Sequence, residues 1–526
     1  MRLRISPCCV ALLSAAAIWV EPAPGADVST PPVKLKAGQA QLFVDDYLIS
    51  QQSGLVRTLH QPKKDDGGNK PVIALDAEFS GEFGETKGTL EANGTILRDP
   101  KLKKWVMFAL AFASSYPGPS ADRVRLYRFT SLDALNWLKG DDGRPQRIAI
   151  DLYDPSSKTS ATNIDLFSCT YDAADSAWPY KGWLHFANWG EGREGTYFMR
   201  SSDGVRWERG PQVMMAGSRT LEQDGRLMTG SGDVTTFYHD RDENRFLANI
   251  RFAAAANVEN ENRLRSRGLL FVDRLDRPID LARIDRLALV PAGAERDGDM
   301  PFDEYYSSTA WRYESMWLGG LRIWHSAGDY PHSAAGAAYL KLVSSRDGLH
   351  WRRVPFRNED GQAEVFIRNG KEGGNDARND GGYMTEFSNA PLEIGGELIY
   401  YYGSSSWGKS HPRPYRVSGG GIFRARLQPH GFVSVDGGWL ITRPLELDGA
   451  DLYVNGAGPI EVEVQKATGE TLGKATVEGD SLRHRVDLGG RSLRELAPEG
   501  RIRLRFAVAS GGRLYSFTVD RATEVR

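Results

Sequence analysis

The sequence predicts an all-β chain, a five-bladed β-propeller followed by a small C-terminal β-sandwich. Three observations carry that expectation. Glycine supplies 57 of the 526 residues, with 13 Trp and 20 Tyr, a turn- and aromatic-rich composition. A turn of the form Ser-x-Asp-x-x-x-Trp recurs through Asp133/Trp137, Asp203/Trp207 and Asp347/Trp351. Trp137 and Trp207 lie 70 residues apart, and Trp207 and Trp351 lie 144 apart, twice 72. Between these turns the chain alternates as short strands with Asp, Asn and Gly at the reversals, as hairpins do. Four antiparallel strands in about 70 residues, repeated around a ring, make one propeller blade.

The composition also excludes classes. Charged residues make up 25% and the formal net charge is −2, so no whole-chain field recruits nucleic acid or an anionic membrane. Disorder, collagen, coiled coil and a polytopic membrane protein are ruled out on the same figures. Residues 1–26 read as a signal peptide. Arg2 and Arg4 precede the apolar run "CCVALLSAAAIWV", and "EPAPGA" offers small residues before a cut after Ala26. Localisation is therefore expected to be secreted or periplasmic. Cys8 and Cys9 leave with the signal, and the remaining Cys169 has no partner for an internal disulfide.

Residues 27–437 are assigned to the propeller. "QLFVDDYLI" alternates as a strand and is expected to close the ring against the last blade, removing an exposed edge. The fourth turn is degenerate, keeping Asp276 and losing the Trp, and "GFVSVDGGW" near Asp436 is read as the last relative of the series. In the turns at Asp203–Gly204 and Asp347–Gly348 the Asp-Gly pair suits the positive φ of a tight reversal, and the Trp fills space between blades. Residues 438–526, with "LYVNGAGPIEVEVQ" and "GRIRLRFAVASGGRLYSFTV", carry no blade motif and read as the sandwich.

Aligning the units places an acid at the start of the innermost strand of every blade. These are Glu91, Asp165, Asp233, the Asp303–Glu304 pair and Glu386, with successive spacings of 74, 68, 71 and 82. Five carboxylates converging on one channel mouth would repel and raise some of their pKa values unless something satisfies them. Glycosidic cleavage needs such a pair, one protonated acid for the leaving oxygen and one carboxylate as nucleophile or base. Asp165, Asp233 and Glu91 are the candidate catalytic residues. Glu304, Glu386, Arg251, Trp189, Tyr305, Trp407 and His411 are candidates for substrate binding, with the run Tyr400, Tyr401, Tyr402 beside them. Aromatic faces stack on sugar C–H surfaces, and guanidinium groups bind hydroxyls or carboxylates. No cofactor is required, although the acid ring could hold a structural cation such as calcium. Nucleotide-binding glycine motifs, zinc-spaced Cys/His clusters and a nucleophile elbow are absent.

Several stretches carry a resemblance: "LFVDDYLI", "LHQPKK", "GTILRDPKLKKWVMF", "SRDGLHWRR" and "GFVSVDGGWLITRPL". Over residues 40–520 the chain resembles exported bacterial proteins, frequent in planctomycetes, related to glycoside hydrolase families 32 and 43. The resemblance implies a five-bladed propeller with a β-sandwich, activity on glycosides, and three essential acids (Asp, Asp, Glu) on the early blades. By blade order these fall on Glu91, Asp165 and Asp233, where the residue types differ from the family pattern. "LRDP" at 97–100 copies a hydrolase tripeptide but lies at a turn of blade one.

The sequence thus supports a secreted glycoside hydrolase, monomeric, acting on a poly- or oligosaccharide in the central pocket. A non-catalytic carbohydrate-binding propeller and a protein-interaction scaffold are the alternatives. With one cysteine in the mature chain, dithiothreitol should leave the melting temperature unchanged; a fall of several degrees in a thermal melt would refute the disulfide argument.

Overall fold

The computed structural model describes residues 31–74, 89–112, 124–138, 146–151, 153–154, 159–160, 163–187, 193–214, 219–223, 225–230, 232–254, 264–291, 299–300, 303–326, 336–373, 378–408 and 420–521. Five sheets are wound in sequence order. Blade one pairs Thr89–Glu91 and Ile96–Asp99 with Lys104–Phe112, then Val124–Ser131 and Gln146–Arg147. Blade two runs Asn163–Tyr171, Tyr180–Ala187, Gly195–Ser201 and Arg206–Gln212. Blade three holds Thr236–Asp240, Arg245–Ala254 and Arg265–Val272, with the hairpin Arg219–Gln223/Arg226–Gly230 extending the edge beside Thr236–Asp240. Blade four holds Glu304–Ser308, Trp311–Tyr313, Met316–Ser326, Gly336–Ser345 and Trp351–Arg353. Blade five holds Met384–Glu386, Leu392–Ile394, Glu397–Ser404 and Gly421–Leu427. The first strand of each blade touches the next blade, and the fifth touches the first, so the ring is closed.

The Ser-x-Asp turns join the third strand of a blade to its fourth. Asp133, Asp203 and Asp347 each accept two backbone N–H groups, those of residues two and three positions on, at 2.8–2.9 Å. At Asp133 these amide bonds hold the carboxyl well below the usual carboxylate range. Gly204 and Gly348 take φ values of 72° and 81°, the left-handed region that glycine enters freely. The following Trp packs across the blade boundary. Trp207 meets Phe108 of blade one edge-on at 5.8 Å, Trp137 meets Tyr401 of blade five at 5.7 Å, and Trp351 clusters with Leu247 and Leu269 of blade three.

Two expectations are corrected. "QLFVDDYLI" does not close the ring. Ala40–Leu42 pairs with Arg513–Asp520 and Ile49–Leu59 with Val433–Thr442, in the C-terminal sheet. The edge of blade five is instead covered by Lys63–Lys64 and Ile73–Ala74, antiparallel to Gly421–Leu427. Asp436 is not a blade turn either. Ser434 still donates to it, but both lie within the continuous strand Val433–Thr442. The chain leaves blade five at the Gln428–Gly431 reversal and passes directly into the second body.

That second body is one hydrogen-bonded sheet of eleven strands, including Val33–Lys34, Ala40–Leu42 and Ile49–Leu59 from the N-terminal side. A line at 437/438 therefore falls inside a strand, and residues 33–59 pair with the C-terminal segment rather than with a blade. A single apolar cluster from Val33 and Phe43 to Phe506 and Phe517 fills its interior.

Trp207 is buried between two blades and touches Phe108, Phe167 and Tyr180. Trp207→Ala should cost about 3–5 kcal/mol in urea unfolding, whereas Asp276→Ala, at the degenerate turn where its carboxylate pairs with the exposed Arg274, should cost less than about 0.5 kcal/mol.

Candidate functional site

The acids stand where the register places them. Glu91, Asp165, Glu304 and Glu386 lie in the first strands of blades one, two, four and five, and Asp233 lies just ahead of Thr236–Asp240 in blade three. Two of these strands carry a β-bulge at the acid, between Asp165 and Phe167 and between Tyr305 and Ser307, which re-aims the side chains. In blades two and three the residue after the acid has positive φ, 35° at Leu166 and 55° at Val234. Non-glycine residues pay on the order of 1–3 kcal/mol for such a backbone, and a β-branched valine is the costlier case. The strain lies directly beside the two acids, and the Leu166 amide donates to Asp165 at 2.8 Å. Asp165 and Asp233 remain half-buried and open to solvent, while Glu91, Glu304 and Glu386 are buried.

The five acids do not face one another bare. Arginines stand between them, a finding that corrects the expected mutual repulsion. Arg251 holds Asp233 at 3.0 Å, and Arg265 holds Glu304 at 2.8 Å. Arg267, fully buried, donates to Asn249, to the Tyr306 carbonyl and to the Val234 carbonyl. Burial pulls its pKa down to about 9, helped by the like charges of Arg251 and Arg322 and opposed by Glu386 and Asp233. Arg322, also fully buried, lies 4.8 Å from the Tyr306 ring and 5.5 Å from Tyr383, and feels both Glu386 and Glu91. Glu386 accepts from Ser307 at 2.9 Å. Burial pushes its pKa up to about 7 against Arg322, that hydrogen bond and Arg267.

His185 lies opposite Asp165 in the pairing of blade two. Burial holds its pKa below the ordinary imidazole value, although Asp233 and Asp165 pull it upward. At the other end of the first strands, Arg98, Thr170, His239, Arg312 and Asn389, one from each blade, border an open cavity of about 510 Å³.

Of the expected binding residues, Arg251, Glu304 and Glu386 join this cluster. Tyr305 does not. The bulge turns it into the apolar cluster with Leu247, Leu321 and Trp351, and its neighbour Tyr306 takes the channel side with Leu166, Val234, Trp324 and Tyr383. Tyr400, Tyr401 and Tyr402 are core residues. The Tyr401 hydroxyl donates to the Ala134 carbonyl and that of Tyr402 to Asp380. The Trp407 ring packs against Gly373, and its backbone lies against Gly382. Trp189 and His411 lie outside the described residues. Asp99 of "LRDP" accepts from the Tyr180 hydroxyl and the Leu102 amide, a turn role. Sequence reasoning missed Arg265, Arg267, Arg322, His185, Tyr306 and Tyr383. The pattern "RSRGLLFV", two arginines two apart at the head of an apolar strand, is the one signal that marked any of them.

Among the described residues no three His, Cys, Asp or Glu side chains converge as metal ligands, and the channel's positive charge is supplied by guanidinium groups. No helix there is long and apolar enough to cross a membrane. No family model matches the chain, and no curated protein matches it. Among solved structures it is similar to a family 43 arabinoxylan arabinofuranohydrolase from Bacillus subtilis, at 12% identity and a TM-score of 0.40, over 86% of this chain and 100% of that one. It is also similar to Zg3597, a family 117 glycoside hydrolase from Zobellia galactanivorans, at 10% identity and a TM-score of 0.37, over 70% and 89%. An exo-β-1,3-galactanase from Phanerochaete chrysosporium gives 12%, 0.34, 81% and 95%. At such scores the likeness carries no argument about chemistry. The five-bladed arrangement rests on this chain's own strand pairing.

Glu386 yields a pH prediction. Its carboxyl keeps a proton to about pH 7 when folded but ionises near 4.5 when unfolded. Stability from this group is therefore present below about pH 4.5 and is lost as pH rises through about 7. Melting temperatures of Glu386→Gln should overtake those of the parent chain between about pH 5 and about pH 8; parallel curves would show that the carboxyl is not held protonated.

Proposed function

We propose that this protein is an exported glycoside hydrolase that cleaves a poly- or oligosaccharide at the acid-lined mouth of its propeller. The observation that carries the reading is the inequality among the five inward acids. Three are buried, while Asp165 and Asp233 still meet solvent. Arg251 lies 3.0 Å from Asp233, a charge partner that suits a carboxylate acting as nucleophile or water-activating base. Asp165 then serves as the proton donor to the leaving oxygen. Glu91 and Glu386 act from behind through Arg322, setting charge rather than touching sugar. Export follows from the residue 1–26 signal pattern. The carbohydrate-binding alternative is favoured by one observation, the arginine already engaged on Asp233.

The test is release of reducing sugar or a chromogenic leaving group across plant and algal glycans. On a cleaved substrate, Asp165→Asn and Asp233→Asn should each lower kcat at least about a hundredfold, with the melting temperature the same or higher. Full activity in both variants would make the acids structural. Glycan retention by the parent chain without cleavage would establish the binding module in place of the enzyme.

A further inference from the structure

Beyond its hydrogen bonds to neighbouring blades, the channel holds a guanidinium edge that lacks hydrogen-bond partners among the described residues. Arg322 reaches inward from the second strand of blade four and is fully buried. Its Nη1 donates to Asn93 at 3.4 Å, but Nε and Nη2 have no hydrogen-bond partner among the described residues. Those two nitrogens are one side of the guanidinium, the parallel pair of N–H groups that matches the two oxygens of a carboxylate. A buried charged donor left unpaired is costly, so an unoccupied fork of this kind points to a group that fills it.

The surroundings favour an anion. Arg267 feels Arg251 and Arg322 as like charges, while Glu386, its carboxyl held protonated to about pH 7 by burial, and Glu91 face Arg322. Arg251 and Arg265 are engaged by Asp233 and Glu304, and Arg267 by carbonyls and Asn249, whereas Arg322 keeps Nε and Nη2 without a hydrogen-bond partner among the described residues. The rings of Tyr306 and Tyr383 flank it, each with its face toward the guanidinium, in a buried cluster that also holds Trp324.

We infer that the sugar held at this mouth carries a carboxylate, as a uronic acid does, and that Arg322 receives it side-on between Tyr306 and Tyr383. This inference rests on the proposed carbohydrate function and names its substrate class. Neutral glycans would leave the fork unsatisfied and bind weakly. A sulfate ester shares the charge but not the planar pair of oxygens.

Titration calorimetry on the full mature chain tests this with oligomers of galacturonate, glucuronate and guluronate, their methyl esters, a neutral xylo-oligomer and a sulfated galactan oligomer. At least one free acid should bind about tenfold to a hundredfold more tightly than its ester. Arg322→Lys, which keeps the charge and loses the fork, should narrow that ratio. Should Arg322→Lys fail to fold, the acid-to-ester ratio of the parent chain decides alone. Equal binding of acid and ester, preference for the sulfated oligomer, or binding of no acid at all would overturn the inference. Cleavage of neutral glycans without acid preference would leave the hydrolase reading standing and this one fallen. Acid binding without cleavage of any glycan would do the reverse.

Discussion

Five strand edges meet at the axis of this molecule, and each must find hydrogen-bond partners there without a further strand to pair with. Neighbouring side chains supply them. Thr385 accepts from the Ala92 amide and Asn389 from the Ile96 amide, across the seam between blades five and one. Thr95 accepts from the Cys169 amide, and Ser168 from the Phe237 amide, so blade one serves blade two and blade two serves blade three. Thr236 and Asn249 of blade three donate to the Ser308 carbonyl of blade four. An unpaired buried amide costs about as much as a lost hydrogen bond, so small hydroxyl and amide residues on the first strands are demanded by the ring itself. The same constraint fixes the register of those strands, and through it the height at which the acids stand.

With that height fixed, the electrostatics follow. Carboxylates come from the starts of first strands, and guanidinium groups come from second and third strands of blades three and four. Interleaving the signs lets a narrow channel carry five acids. It also divides them by access: the buried acids tune, and the half-buried pair on blades two and three remains open to a ligand. Strained backbone at Leu166 and Val234 persists because the bonded strands on either side leave those residues no alternative.

The sequence made the propeller and the acid register legible because both are written in local chemistry. A turn aspartate that satisfies its own backbone needs no distant partner to be recognised, and its recurrence at Asp133, Asp203 and Asp347 sets the length of a blade. What stayed hidden depends on register shifts and on distant pairing. A single bulge exchanged Tyr306 for Tyr305, and a one-residue slip in a strand moves every side chain to the other face. Tyr400 to Tyr402 stayed ambiguous because an aromatic that lines a core and one that meets a sugar have the same composition. Arg322 and His185 sit within apolar strands with nothing nearby in sequence to announce a role. Residues 41–49 alternate as a strand would, but alternation says nothing of a strand's partner, which here is the C-terminal sheet.

The seam of blade five has a kinetic meaning. Its outer strands come from residues 63–74 and its inner ones from 384–427, so this sheet cannot exist until nearly the whole chain has been made. The long strand Ile49–Leu59 then binds Val433–Thr442 immediately afterwards in the chain, fastening both ends beside the same blade. Contacts of such high sequence separation are slow to form, because the entropy of closing the loop is lost before the pairing is gained. Blades one to four are therefore assembled around an open gap, and the last one to appear acts as a latch. Rigidity at the axis arrives in a single late step, and opening the molecule requires undoing the two ends together.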